Sequence, residues 1–174
     1  MAAGSRGANI HIIGGISSLG WMTYDVKRGS IKKPDAIEWM KFCLSAAMLK
    51  HGGPVALIID NAPCHSRVEQ SILEDERYKD CVLLRLSPYS PMFNPIEHVW
   101  SYMKSHVKRE LCVKLTEILS SAPSHLSMTE HRLRALEGLI NEAALKVTPM
   151  LCVKCIASIQ SKVAGALNLQ DMTF

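Results

Sequence analysis

Asp60 closes the apolar run PVALIID, and Glu97 ends the block Asn94-Pro95-Ile96-Glu97 that follows a proline-punctuated loop. An aspartate at the carboxyl end of a buried strand stands where open α/β sheets keep their ligand crevice. Two carboxylates on different elements can hold a hard divalent cation such as Mg or Mn, and so serve in-line phosphoryl transfer. Each also has a plainer use. Asp60 can cap the turn after its strand. With Asn94 as N-cap and Pro95 as the first helical residue, Glu97 falls at the capping-box position. On the helix so opened, Ile96, Val99, Trp100, Met103 and Val107 form an apolar stripe, while Glu97, Ser101, Lys104 and Lys108 share another face. If Glu97 holds a metal over a phosphodiester, Lys104 and Lys108 are spaced to neutralise phosphates further along; otherwise they are a solvated lysine face.

Other patterns carry less. GGISSLG lacks the Lys-Ser/Thr of a phosphate loop and precedes a strand rather than a helix. It also misses the G-x-S-x-G spacing of a serine nucleophile. Cys152 and Cys155 form a lone C-x-x-C on an apolar helical stripe, which reads as core thiols rather than zinc ligands. Cys64 has no identifiable base. His11, His51, His98 and His106 read as ordinary surface or core residues.

The elements that must position these groups follow from periodicity. Asn9 to Ile16 and Trp21 to Val26, joined by SSLG, predict a hairpin. From Pro34, apolar residues recur at helical spacing until His51-Gly-Gly-Pro. PVALIID and CVLLRL predict strands buried on both faces, separated by a polar helix over roughly 66–78. A helix is expected from Pro95 to about Leu111. Two more follow, one opened by the capping box Ser127 to Glu130, the other by Thr148 and Pro149 with Cys152, Cys155, Ile156, Ile159 and Val163 inward. The order is that of an α/β layer architecture with a mixed sheet.

The chain has 174 residues, 48% hydrophobic and 21% charged, with a formal net charge of +4. That composition suits one soluble globular domain and excludes disorder and fibre. A chain of this length buries roughly 70% of its unfolded surface, so neither disulfide nor metal is required for folding. Unbroken apolar runs such as Val55 to Ile59 fall short of the roughly 18 residues of a membrane span, and the opening residues contain no signal-peptide core. The six cysteines are accordingly expected as thiols in a reducing compartment. The mild positive charge suits a polyanionic partner, while 6% aromatic content argues against base stacking as the main grip on a strand.

VALIIDNAPCHS and, after a polar helix, LLRLSPYSPMFNPIEHVWSYMK resemble the second and third acidic motifs of Tc/mariner-type DDE transposases. The likeness is carried by Asp60, Asn61, Ala62 and His65, by the turn Tyr89-Ser90-Pro91, by Asn94-Pro95-Ile96-Glu97, and by Trp100 and Lys104. Upstream, RGANIHIIGGISSLGWMTYDVKRGS resembles the hairpin that precedes the first core helix of that family. The resemblance runs from Arg6 to about Leu111 and covers the helical tail only loosely.

The resemblance implies a ribonuclease-H-like mixed sheet, with Asp60 and Glu97 as second and third acids of a metal-binding triad. Asn61, His65 and Asn94 become supporting residues, two Mg or Mn ions the cofactors, and DNA the partner. Strand cleavage and joining is the implied reaction, with nuclear residence, no membrane and no small-molecule substrate; self-association is left open. The family's first acid lies on a strand preceding the hairpin, and its helix-turn-helix region lies earlier still. The expected sheet therefore lacks its central strand, leaving a gap between the hairpin and the strand of Asp60. Asp25, the only acid in the hairpin, stands on a strand the family does not use for metal. The expected organisation is a partial core over 1–111 and a helical C-terminal extension over 112–174. The expected function is that of a transposase-core fragment, inactive alone. Two alternatives stand beside it: a host-adopted DNA-binding or assembly module, and an active nuclease recruiting another carboxylate.

Overall fold

A computed structural model describes residues 9–120, 123 and 125–168; Arg6, where the family resemblance begins, lies outside them. Strands β1 (Ile10–Ser17) and β2 (Gly20–Arg28) form the antiparallel hairpin. Ser17 Oγ accepts the Leu19 N–H at 3.0 Å, and Gly20 takes the left-handed conformation that brings the chain back. The glycine pair of β1 serves close packing. A Cβ at Gly14 would lie 2.6 Å from the Trp21 ring and 2.8 Å from that of Trp100; one at Gly15 would lie 2.5 Å from Cys43 Sγ.

Helix α1 (Lys33–His51) starts where the Asp35 carboxylate accepts the Lys32 N–H at 2.9 Å, and ends at Gly52 in the left-handed region. Its buried residues Met40 and Leu44 pack with Leu57, Ile59 and Leu83 of the parallel pair β3 (Ala56–Ile59) and β4 (Val82–Arg85). The other face of this pair is open, with Ile58, Val82 and Leu84 about half exposed. The expectation of burial on both faces is thus corrected: a continuous apolar run records how hydrophobic a strand is, not how many layers cover it.

Two further expectations change. The polar helix is broken into a 3₁₀ turn at Pro63–His65, the short α2 (Glu69–Leu73) and a second 3₁₀ turn at Glu76–Tyr78. Arg67 in the left-handed region interrupts the first stretch. Asp75 leaves helical geometry to cap the last, its carboxylate accepting the Arg77 N–H. By contrast α3 (Ile96–Ser120) runs well past Leu111, because no glycine or proline stands among residues 112–120 to stop it.

Helices α4 (Met128–Leu145) and α5 (Pro149–Leu167) are capped by Ser127 and Thr148, whose hydroxyls accept the N–H groups of Glu130 and Leu151. In α5 Cys152, Cys155 and Ile159 are buried, but Val163 is exposed, so the inward stripe stops a turn early. By length and composition α5 is apolar enough to cross a membrane, at a mean hydropathy of 1.3; short apolar and small residues supply this rather than an unbroken run. All six cysteines are free thiols.

The hydrophobic core falls into two clusters. One joins the hairpin to Ile96, Val99 and Met103 of α3, Ile140, Ala143 and Ala144 of α4, and Cys152 and Cys155 of α5. Trp21 is its hub: its indole N–H donates to the Ala144 carbonyl at 3.1 Å, and its ring lies 5.7 Å from that of Trp100. The second joins α1, β3, β4 and α2. Among the described residues the strands likewise form two separate two-stranded sheets, β1–β2 and β3–β4. No ladder joins the hairpin to the strand of Asp60 among the described residues, which agrees with the break expected there.

Candidate metal and nucleic-acid site

Asp60 is the first residue beyond β3. The loops that leave the two parallel strands are tied together there, with the Leu86 N–H donating to the Ile59 carbonyl at 2.9 Å and the Asn61 side-chain amide donating to the Leu86 carbonyl. Asp60 Oδ1 accepts the Ala62 N–H at 2.9 Å and meets His65 Nδ1 at 2.7 Å. The His65 contact holds the Asp60 carboxyl below the usual carboxylate range, overcoming the opposing effect of burial. His65 is the more enclosed partner, its side chain 14% exposed against 41% for Asp60. Asp60 thus does make the plain turn-capping bond, but through Oδ1; Oδ2 has no protein partner among the described residues.

Glu97 lies in the first turn of α3, where the helix dipole favours negative charge. Asn94, itself buried, does the capping: its side-chain oxygen accepts the Ile96 N–H at 3.3 Å and its carbonyl accepts the Glu97 N–H at 3.1 Å. The reciprocal bond of a capping box is not made, because the Asn94 N–H already donates to the Pro91 carbonyl at 3.0 Å. The Glu97 carboxylate therefore has no protein partner among the described residues, and capping does not account for it.

Further along α3, Lys104 and Lys108 are exposed and make no ion pair or side-chain hydrogen bond among the described residues. Both line a groove of about 400 Å³ whose floor is apolar, formed by Ile10 and Ile12 of β1, Met103 and Val107 of α3 and Ile140 of α4.

The structure thus brings Asp60, Asn61 and His65 into one bonded loop, and places Asn94 and Glu97 at one helix start. No hydrogen bond joins Asp60 to Glu97. Among the described residues no group of three or more His, Cys, Asp or Glu is placed to hold a metal ion. The two carboxylates nonetheless suit Mg or Mn in donor type, since such ions take oxygen ligands and are commonly held by one or two carboxylates, water and substrate phosphate. Cys64 is not an activated thiol: burial raises it, and the nearby Asp60 charge adds to the effect. Cys152 and Cys155 are raised by burial too, as core thiols are.

One participant was not singled out from sequence. Arg85, the last residue of β4, grips the His65 carbonyl with Nη2 and donates from Nε to Glu69 at 2.6 Å. It fixes the loop that carries the ring facing Asp60. The available signal was a cation ending an otherwise apolar strand.

The sequence model described as DDE superfamily endonuclease matches residues 1–118. A search of curated proteins finds no match. Among solved structures, the fold is similar to a Mos1 transposase paired-end complex with left transposon end, at 18% identity and a TM-score of 0.51 over 91% of this chain and 46% of that one. A crystal structure of the Mos1 mariner paired-end complex with Mn also matches, at 20% identity and a TM-score of 0.49, with the same coverage. The chain spans about half the length of these structures. The mixed α/β arrangement is ribonuclease-H-like, as the family resemblance implied.

Proposed function

Since the chain belongs to the DDE superfamily endonuclease family, we propose that it is part of a mariner-type transposase core that binds DNA through its phosphates. Asp60 and Glu97 are the residues that would hold Mg or Mn. The single observation carrying this reading is that both retain carboxylate oxygens without protein partners, at the carboxyl end of β3 and the amino end of α3. A bound divalent cation would supply charge neutralisation and activation of an oxygen nucleophile in phosphoryl transfer. His65 orients Asp60 and keeps its carboxyl ionised to lower pH, Arg85 holds His65 in place, and Asn94 sets the start of the helix bearing Glu97. Lys104 and Lys108 neutralise the backbone further along the strand.

With two such carboxylates, the chain alone is proposed to bind DNA without cutting it, in the nucleus. Fluorescence anisotropy on duplex DNA across a salt series tests the first part. Affinity should fall with salt, and Lys104→Ala and Lys108→Ala should each weaken binding and lower the logarithmic salt slope by about 1. Salt-independent binding, or no effect of either substitution, overturns it. Mg-dependent nicking of supercoiled DNA that is abolished by Asp60→Asn overturns the proposed inactivity and favours a nuclease that recruits a further carboxylate.

A further inference from the structure

Tyr89 is 97% exposed, and its backbone adopts φ 56, the left-handed region that bulky residues avoid. Such a conformation is unfavourable in a residue other than glycine, and an exposed ring recovers little of that cost through burial. The segment carrying it is held at both ends. Upstream, Leu86 is tied to Ile59 and Asn61. Downstream, the Phe93 and Asn94 N–H groups donate to the carbonyls of Ser90 and Pro91. Pro88 and Pro91 restrict the backbone between, and Ser90 Oγ donates to the Pro88 carbonyl at 3.2 Å. The ring is thus presented from an anchored loop, on the segment that joins the strand beside Asp60 to the helix bearing Glu97.

We propose that Tyr89 is a stacking platform for one unpaired nucleobase of bound DNA. This rests on the DNA-binding reading and adds to it a contact of different chemistry, since phosphate contacts set affinity while a ring favours a base that has left its stack. A single ring is compatible with the low aromatic content, because it supplements the phosphate contacts rather than replacing them.

The test uses the full chain and two DNA probes, a fully paired duplex and the same duplex with an unpaired 3′ overhang carrying 2-aminopurine. Tyr89→Ala should weaken binding of the overhang probe roughly tenfold and abolish the 2-aminopurine quench, while leaving the paired duplex unchanged. Tyr89→Phe and Tyr89→Trp should retain both signals. Tyr89→Gly separates recognition from structure, because glycine accepts the left-handed backbone: its thermal midpoint should equal or exceed that of the parent while overhang binding falls. Unchanged overhang binding in Tyr89→Ala, with lysine substitutions still effective, overturns the stacking proposal alone. A lower midpoint in Tyr89→Gly shows that the ring supports the fold and also overturns it. Failure of the parent chain to bind either probe removes the underlying DNA reading as well.

Discussion

Replacing His65 by alanine tests whether the pairing at Asp60 has the energetic weight its geometry suggests. Asp60 Oδ1 receives two hydrogen bonds, from the Ala62 N–H and from His65. A hydrogen bond to a charged group contributes about 1.5–3 kcal/mol when well buried. The Asp60 side chain is 41% exposed, so solvent screening brings the expected coupling down to about 1 kcal/mol. The pH dependence has a definite sign. The folded-state carboxyl lies below its unfolded value of about 3.9, so its stabilisation is fully present above that value and is lost as pH falls through the folded midpoint. A double-mutant cycle of His65→Ala with Asp60→Asn, measured by urea unfolding near neutral pH and again in acid, should give the coupling at the higher pH and lose it at the lower. Carbonyl-carbon NMR of Asp60 should show its midpoint rising toward the ordinary carboxylate range in His65→Ala. A coupling indistinguishable from zero, together with an unmoved Asp60 midpoint, refutes the role given to His65.

Gly15→Ala should lower stability by about 1–2 kcal/mol, the overpacking of a Cβ 2.5 Å from Cys43 Sγ outweighing the entropy gained over glycine; adding Cys43→Ala should restore most of it, and an unperturbed unfolding midpoint in the single variant would refute the contact. Arg28 binds both Glu130 and Glu137 and, with Arg134, holds the Glu130 carboxyl down to about 2. That contribution is present above the usual glutamate range and is lost as pH falls toward the folded value, so Arg28→Ala should flatten the acid limb of the thermal-stability profile, and an acid limb identical to the parent's counts against it.

The residues that could be read from the chain are those with local causes. The caps at Ser127 and Thr148, the start of α1 at about Pro34 and the hairpin turn all depend on neighbours in sequence, and each forms as expected. The pairing of Asp60 with His65 was legible only through family resemblance, because a five-residue separation across a turn leaves no periodic mark. Where tertiary context decides, the sequence is silent. Ile58 and Leu84 are as apolar as Ile59, yet nothing in their own sequence says that one face of the pair stays open. Arg67 carries none of the glycine or asparagine signal that usually announces a left-handed break. Arg85 leaves no mark of its role in the sequence, because its partners, Glu69 and the His65 carbonyl, come together only when β4 pairs with β3.

The division of the core sets how the candidate site can fail. Asp60 follows Ile59, which belongs to the cluster built from the middle of the chain, whereas Glu97 follows Ile96, which belongs to the cluster built from both flanking parts. Chain connectivity nests one cooperative unit inside the other, and contacts such as Gly15 with Cys43 and Lys27 with Asp35 form part of the seam. Native-state hydrogen exchange should therefore resolve two opening reactions with separate free energies. Loosening the seam would leave each carboxylate on its own intact scaffold, so a variant can keep its circular dichroism and still lose any function that needs both carboxylates together.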